Sequence, residues 1–271
     1  MSASLLLVGC GKMGGALLKG WLEQGAQPDT ITVIEPNQKT ADELARRFAV
    51  TVLDGADALP PDHLPDVVVI AVKPQAMDDV LPAYRSLVRS GVVFLSIAAG
   101  KPLAGLARLL GDDAALVRTM PNTPAAIGEG ITVACAGPHV TDQQISWCQS
   151  LLEAVGDVAW IDDEALMDAV TAVSGSGPAY VFLLAEVMEK AGIRAGLPAP
   201  LAGRLARATV AGAGALLKAS NEPAETLRRN VTSPGGTTAA ALDVLTADDG
   251  MGAMLERAVL AATKRSRELA E

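Results

Sequence analysis

Leu5-Leu6-Leu7-Val8-Gly9-Cys10-Gly11-Lys12-Met13-Gly14 decides how the first half of the chain is read. Four consecutive apolar residues suit a strand buried on both faces of a parallel sheet. Glycines in GxGxxG spacing follow at once, and residues 16–22 then show helical spacing. In that context Gly9 allows a tight turn, Gly11 lets the backbone approach a pyrophosphate, and Gly14 lets helix pack on strand. The motif alone is weak, because glycine turns are common. The flanking strand and helix, and a second strand at the right distance, make it a dinucleotide fingerprint. That strand, Ile31-Thr32-Val33-Ile34, ends in Glu35, about 20 residues past the glycines, where an acidic residue accepts from ribose hydroxyls. The bland alternative is a solvated charge at a strand end. Glu35 repels a 2′-phosphate and leans the cofactor toward NADH. Lys39 keeps NADPH open, while Arg46 and Arg47 lie further along the next helix.

The alternation continues outward. Residues 66–72 form a strand that exits through Ala71-Val72-Lys73-Pro74. Residues 92–97 form another, opening into Ala98-Ala99-Gly100. Residues 115–119 lead into Met120-Pro121-Asn122-Thr123-Pro124. Ligands of open α/β sheets bind outside the carboxyl ends of the strands. Lys73, the turn 98–100 and Asn122 therefore converge on one crevice, the alternatives being an exposed lysine and prolines that merely end strands. Late strands at 131–136 and 158–161 flank a helix at 143–155. The expectation is a doubly wound, Rossmann-type dinucleotide-binding domain over 1–162.

From residue 163 onward strand patterns stop, and an all-α domain is expected over 163–271. Its helices read as 165–173, 179–191, 200–219, 224–229, 239–245 and 252–269, with a break at Ser174-Gly175-Ser176-Gly177-Pro178. Small residues abound at the helix contacts, which suits close packing in an interlocked dimer. A self-contained bundle is nearly as good a reading. Asn230-Val231-Thr232-Ser233-Pro234-Gly235-Gly236-Thr237-Thr238 is the distinctive stretch of this half. A small-residue loop running into a helix N-terminus offers backbone N–H groups and a positive dipole end to a carboxylate or phosphate. An ordinary threonine helix cap is the competing reading.

Composition bounds the rest. With 271 residues, half of them hydrophobic, the chain can build one large or two medium domains. A net charge of −9 argues against nucleic-acid or anionic-membrane surfaces, so local dipoles must hold an anionic substrate. Cys10, Cys135 and Cys148 form no CxxC pair, which suits a reduced, cytoplasmic setting. The short apolar start is a strand and not a signal peptide, and no apolar run approaches a membrane span. His63 and His139 stand apart from other polar groups. No nucleophilic triad, carboxylate pair or metal cluster emerges. A dinucleotide then carries the hard step, hydride transfer. Only hydroxyls, amides and water remain to handle a proton, which suits an already electrophilic C=N bond.

At this point the motifs are recognisable. The Gly9–Gly14 loop, 71–74, 120–124, Val173-Ser174-Gly175-Ser176-Gly177-Pro178-Ala179-Tyr180 and 230–238 span nearly the whole chain. In that order they closely resemble the pyrroline-5-carboxylate reductase family. The resemblance implies reduction of L-1-pyrroline-5-carboxylate, a small anionic cyclic imine, to L-proline by NADPH or NADH. It also implies a helical dimerisation domain, with homodimers that often assemble into decamers. Carried over by motif, the amides around Gly236, Thr237 and Thr238 hold the substrate carboxylate, with Ser233 beside them. The Thr238 hydroxyl assists protonation of the ring nitrogen. Asn230 and Glu164 shape that pocket. Gly9, Cys10, Gly11, Lys12, Met13, Gly14 and Glu35 hold the dinucleotide, with Ala71, Val72, Lys73, Pro74, Ala98, Ala99, Gly100 and Asn122 toward its nicotinamide. Glu35 departs from family members that carry small residues or an Arg there. The competing readings are another Rossmann-type imine or hydroxy-acid reductase and a non-catalytic dinucleotide-binding regulator. The former commonly use a helical lysine, but Lys190 and Lys218 sit in ordinary helical patterns. The latter has no use for Thr238 in an anion seat.

Overall fold

The computed structural model describes residues 3–270. The first half alternates strand and helix: β1 (Leu5–Val8), α1 (Lys12–Glu23), β2 (Ile31–Ile34), α2 (Gln38–Phe48), β3 (Thr51–Leu53), β4 (Val67–Ile70), α3 (Met77–Val80), β5 (Val93–Ser96), α4 (Leu103–Leu110), β6 (Ala115–Met120), β7 (Gly130–Ala136), α5 (Asp142–Glu153) and β8 (Gly156–Trp160). The strands form one sheet in the order β3-β2-β1-β4-β5-β6-β7-β8. Every neighbouring pair is parallel except β6 and β7. From β1 the chain winds outward through β2 and β3, then restarts on the other side with β4. The switch point thus falls between β1 and β4, where ligands of doubly wound sheets bind.

β1, β2, β4 and β5 are buried along their whole length, as their largely apolar runs suit, with Thr32 and Ser96 the buried polar exceptions. Alternate residues serve opposite faces. Leu5, Leu7, Val33, Val69 and Leu95 pack with Leu17 and Trp21 of α1 and Leu151 of α5. Leu6, Val8, Val68, Ile70 and Phe94 pack with Met77, Leu81, Tyr84 and Leu106 on the other face. Trp21 is fully buried, and its Nε1–H donates to the Leu151 carbonyl at 2.8 Å. A Cβ on Gly20 would lie 2.6 Å from the Ala154 carbonyl oxygen, so a glycine is needed where α1 passes the end of α5. α2 is capped by Asn37, whose side chain accepts from the Thr40 N–H at 3.0 Å. α5 starts with a Thr141/Gln144 capping box.

The helical half comprises α6 (Met167–Val170), α7 (Gly177–Arg194), α8 (Ala199–Ala219), α9 (Ala224–Asn230), α10 (Thr237–Leu245) and α11 (Met251–Ala270). α7 and α8 form a hairpin in which a Cβ on Gly192 would lie 3.3 Å from Leu197 Cδ1 and 3.4 Å from Ala202 Cβ, a close fit. The described chain divides into two compact units. One runs up to Gly175 and resumes at Thr263; the other is Ser176–Ala262. The sheet itself ends at Trp160, close to the expected change of character at 162, but the first helical turns after it belong to the sheet-bearing unit.

Three sequence expectations need correction. Ser174 to Pro178 is no loop. The chain passes through a π-helical turn at Thr171–Gly175 and continues directly into α7, with Pro178 in the first turn. Met120 packs over this turn, its Cε 2.2 Å from where a Cβ on Gly175 would stand. As a result the helical stretch Glu164–Arg194 is 31 residues long and apolar enough to cross a membrane by length and composition, against the expectation that no run approaches that length. Such a lone helix is weak grounds for a membrane role. α10 starts at Thr237, two residues before the apolar pattern suggests, because Thr237 and Thr238 are themselves its first residues. The short, half-exposed β3 carries no clear signal in the sequence.

Candidate active site

The first site forms where β1 turns into α1. Gly9 has φ +86°, and a Cβ there would meet Val72 Cγ1 at 3.0 Å, so only glycine suits the turn. A Cβ on Gly14 would stand 2.7 Å from the Gly9 carbonyl oxygen, which brings α1 tight against the loop. Gly11 is different: its φ is ordinary and a Cβ would meet nothing within 4 Å. Packing and strain do not explain Gly11, whereas close approach of a pyrophosphate does. Gly11 is also the N-cap of α1, and no side chain caps that end. Lys12, Met13 and Gly14 thus present first-turn N–H groups, with no acidic residue in that turn to repel an anion. The residues fit a dinucleotide.

Glu35 leaves the carboxyl end of β2 and folds back on the loop. Its Oε1 accepts from the Asn37 N–H at 3.0 Å and its Oε2 from the Cys10 N–H at 3.4 Å. Burial first, and the Glu35 charge second, push the Cys10 thiol up to about 12, so this cysteine is no nucleophile at neutral pH. A cavity of about 290 Å³ opens beside the switch point, lined by Val8, Gly9, Ile34, Asp54, Asp79 and Tyr84 among others. Asp54, Asp79 and Tyr84 are absent from the sequence reading, because nothing local marks an aspartate or tyrosine as lining a cavity. Burial pushes the Tyr84 phenol up to about 12.

Strand register places the remaining expected groups along the same edge. Val8 pairs with Ile34 and Ile70, and Ile70 with Ser96. Ala71, Val72, Lys73 and Pro74 follow β4; Ile97, Ala98, Ala99 and Gly100 follow β5. Ala71 N–H donates to the Val8 carbonyl at 2.8 Å. Lys73 is exposed in extended backbone before a short turn at Pro74–Ala76, and Gly100 has φ +77°. Ala98 is buried and Ala99 exposed. Asn122, after β6, is committed within the protein: its Oδ1 accepts from the Ile131 N–H at 3.0 Å and its Nδ2 donates to Ser174 Oγ at 3.3 Å. It ties the end of β6 to the start of β7 and to the π turn. Glu164 is likewise engaged. Its Oε1 accepts from Arg118 Nη1 at 2.8 Å and from the Leu103 N–H at the start of α4 at 2.7 Å. Arg118 interrupts the apolar run of β6 and is buried there, a signal for this pair that the sequence reading passed over.

The second site lies in the other unit. α9 ends at Asn230, whose Nδ2 donates to Glu222 at 3.3 Å. The Thr232 hydroxyl donates to the Arg228 carbonyl at 2.7 Å, finishing the helix end. Gly235 then turns with φ +68°, and Gly236 N–H donates to the Ser233 carbonyl at 3.0 Å. Gly236 is the N-cap of α10, and no side chain caps it. The cap reading of the threonines therefore fails: Thr237 and Thr238 stand inside the helix, with their N–H groups open to a ligand. Thr237 is exposed and Thr238 half-buried, with Ser233 exposed in the same turn. Among the described residues no group of His, Cys, Asp and Glu is arranged to hold a metal ion.

A doubly wound sheet with a GxGxxG turn at its switch point, followed by a helical half, defines an NAD(P)H-dependent oxidoreductase. Over 268 residues, 98% of this chain and 97% of the relative, the sequence is 43% identical to pyrroline-5-carboxylate reductase of Pseudomonas aeruginosa. The chain belongs to the pyrroline-5-carboxylate reductase family. The family model described as pyrroline-5-carboxylate reductase dimerisation matches residues 164–269, and that described as NADP oxidoreductase coenzyme F420-dependent matches residues 4–100. The fold is similar to a pyrroline-5-carboxylate reductase from Coxiella burnetii, with TM-score 0.94, 30% identity and 100% of both chains covered. It is also similar to a Plasmodium falciparum pyrroline carboxylate reductase with NADP bound, with TM-score 0.83, 29% identity, and 100% of this chain and 99% of that one covered.

Proposed function

We propose that this protein reduces L-1-pyrroline-5-carboxylate to L-proline, with the work divided among the residues described above. The observation that carries the reading is the uncapped start of α10, with Thr238 half-buried in its first turn. The N–H groups of Thr237 and Thr238 hold the substrate carboxylate with the help of the helix dipole. Ser233 and Asn230 flank that seat. NAD(P)H, held by the Gly9–Gly14 loop and Glu35, supplies hydride to the imine carbon when bound. The imine nitrogen gains the accompanying proton, and the Thr238 hydroxyl hydrogen-bonds that nitrogen and relays the proton from water. No stronger acid is needed, because a C=N bond accepts hydride readily once its nitrogen is protonated. Lys73 and the 98–100 turn line the nicotinamide side. Asn122 serves by holding the end of β6 in place, and Glu164 by tying β6 to α4.

The working form is a homodimer, which can assemble further into decamers. The apolar faces of the helices support this, as does the dimerisation family match over residues 164–269. On this reading α7 packs against a second copy and not against lipid, and the enzyme is soluble and cytoplasmic. Residues 1–162 form the dinucleotide domain and 163–271 the substrate and dimerisation domain.

Oxidation of NADH and NADPH with pyrroline-5-carboxylate tests the reaction. Turnover with at least one of them is expected. Folded protein that binds a dinucleotide but turns over with neither removes the assignment.

A further inference from the structure

We infer that Glu35 makes this chain selective for NADH over the 2′-phosphorylated NADPH. The inference rests on the dinucleotide reading of the Gly9–Gly14 loop and concerns the adenosine end of that site. Glu35 is held from two directions, by the Asn37 N–H on Oε1 and the Cys10 N–H on Oε2. Swinging aside to admit a phosphate would forfeit both bonds. Its remaining lone pairs are well matched to the two hydroxyls of an unmodified ribose, which need an acceptor and carry no charge.

A 2′-phosphate would need positive charge, which is scarce here, or free amides, two of which are already taken. Of the amides at the start of α2, that of Asn37 is taken by Glu35 and that of Thr40 by the Asn37 side chain. The adjoining cavity of about 290 Å³ is lined by Asp54 and Asp79, and no Lys or Arg is among its lining residues. Arg46 and Arg47 sit in the last turn of α2. That is about 12 Å along the axis from its start. Arg46 donates to the Asp42 carbonyl at 3.3 Å, and the Arg47 guanidinium lies 4.8 Å from the centroid of the Phe48 ring. Lys39 is the single basic side chain in the first turn. A single exposed ammonium does little to offset the fixed Glu35 carboxylate and the aspartates of the adjoining cavity, so a phosphate carrying nearly two negative charges is disfavoured. The Plasmodium falciparum relative has NADP bound, so this selectivity is a property of the present chain's residues and not of the family.

Equilibrium binding of NADH and NADPH to the full-length protein, followed by calorimetry or by nucleotide fluorescence, tests this without substrate. The wild type is expected to bind NADH tighter by roughly 10- to 100-fold, the scale of a hydrogen bond to a charged group. Glu35→Gln keeps the side-chain shape and should narrow that ratio by about tenfold or more, weakening NADH and strengthening NADPH. A matching shift in melting temperature with each nucleotide shows that the variant is folded. Equal binding, tighter NADPH binding by the wild type, or a ratio that Glu35→Gln leaves unmoved would overturn the role of Glu35 alone. Failure of both nucleotides to bind would instead remove the dinucleotide reading beneath it.

Discussion

Thr238 is the residue on which the proposed proton delivery turns. It stands half-buried in the first turn of α10, whose N-terminus has no side-chain cap. Thr238→Ala removes one hydrogen bond used mainly in the transition state. It should lower kcat roughly 10- to 1,000-fold while leaving the melting temperature nearly unchanged. Thr238→Ser keeps the hydroxyl and should recover most of the rate; an alanine variant with full turnover would strip Thr238 of its role. The three glycines of the first loop make a second, sharper contrast. Gly14→Ala drives a Cβ to 2.7 Å from a backbone oxygen. Overpacking of that kind should cost about 1–3 kcal/mol in denaturant unfolding. Gly11→Ala meets no protein atom and has a permitted φ, so its stability should stay within about 1 kcal/mol of wild type. Its dinucleotide affinity should fall roughly 10- to 100-fold, because the new methyl occupies the pyrophosphate's approach. The fingerprint spacing named both glycines. Which of them packs and which waits for a ligand depends on neighbours far along the chain, such as Ala71 beside Gly14.

Elements separate what local pattern dictates from what tertiary contact overrides. Strands β1, β2, β4 and β5 were legible because burial on both faces favours near-continuous apolar runs. The break expected at 174–178 was not real, because glycine and serine there serve a π turn pressed against Met120 and not an exit from the helix. Glu164 shows the same limit. Family resemblance points it at the substrate, yet one oxygen holds both buried Arg118 and the first amide of α4. Two variants separate these roles. Glu164→Ala leaves the Arg118 charge buried and unpaired. With Glu164 itself only partly buried, the expected loss is about 2–3 kcal/mol in urea unfolding, below that of a fully buried pair. Glu164→Gln still accepts from the Leu103 N–H and should lose less. If Glu164 instead contacts substrate, Glu164→Gln should raise KM with little change in stability.

At the scale of the whole molecule the two halves of the chain bury their apolar residues very differently. In the sheet-bearing unit the large apolar side chains close into two layers that solvent does not reach. In the helices they do not: Phe182 is 68% exposed, Val244 72% and Leu260 61%, and α7 and α10 have no buried residue. A groove of about 550 Å³ runs between α7 and α8, lined by Val181, Phe182, Val210 and Gly214, with Glu189 and Arg207 supplying polar groups. Exposed apolar surface on this scale marks an interface. Small residues such as Gly212 and Gly214, where a Cβ would meet nothing within 4 Å, leave room for a second copy's helices to come close. A sequence rich in alanine and glycine could foretell close helix contacts, but whether they lie within one chain or between two depends on where the large apolar residues end up. Light scattering should therefore give at least twice the 27.7 kDa chain mass. Phe182→Glu places a charge at the centre of the exposed face and needs no rearrangement inside the monomer, because the side chain is already in solvent. It should shift the mass toward the monomer at micromolar concentration and leave the far-ultraviolet circular dichroism unchanged. An assembly whose mass does not respond to Phe182→Glu would mean that this groove is not where two copies meet.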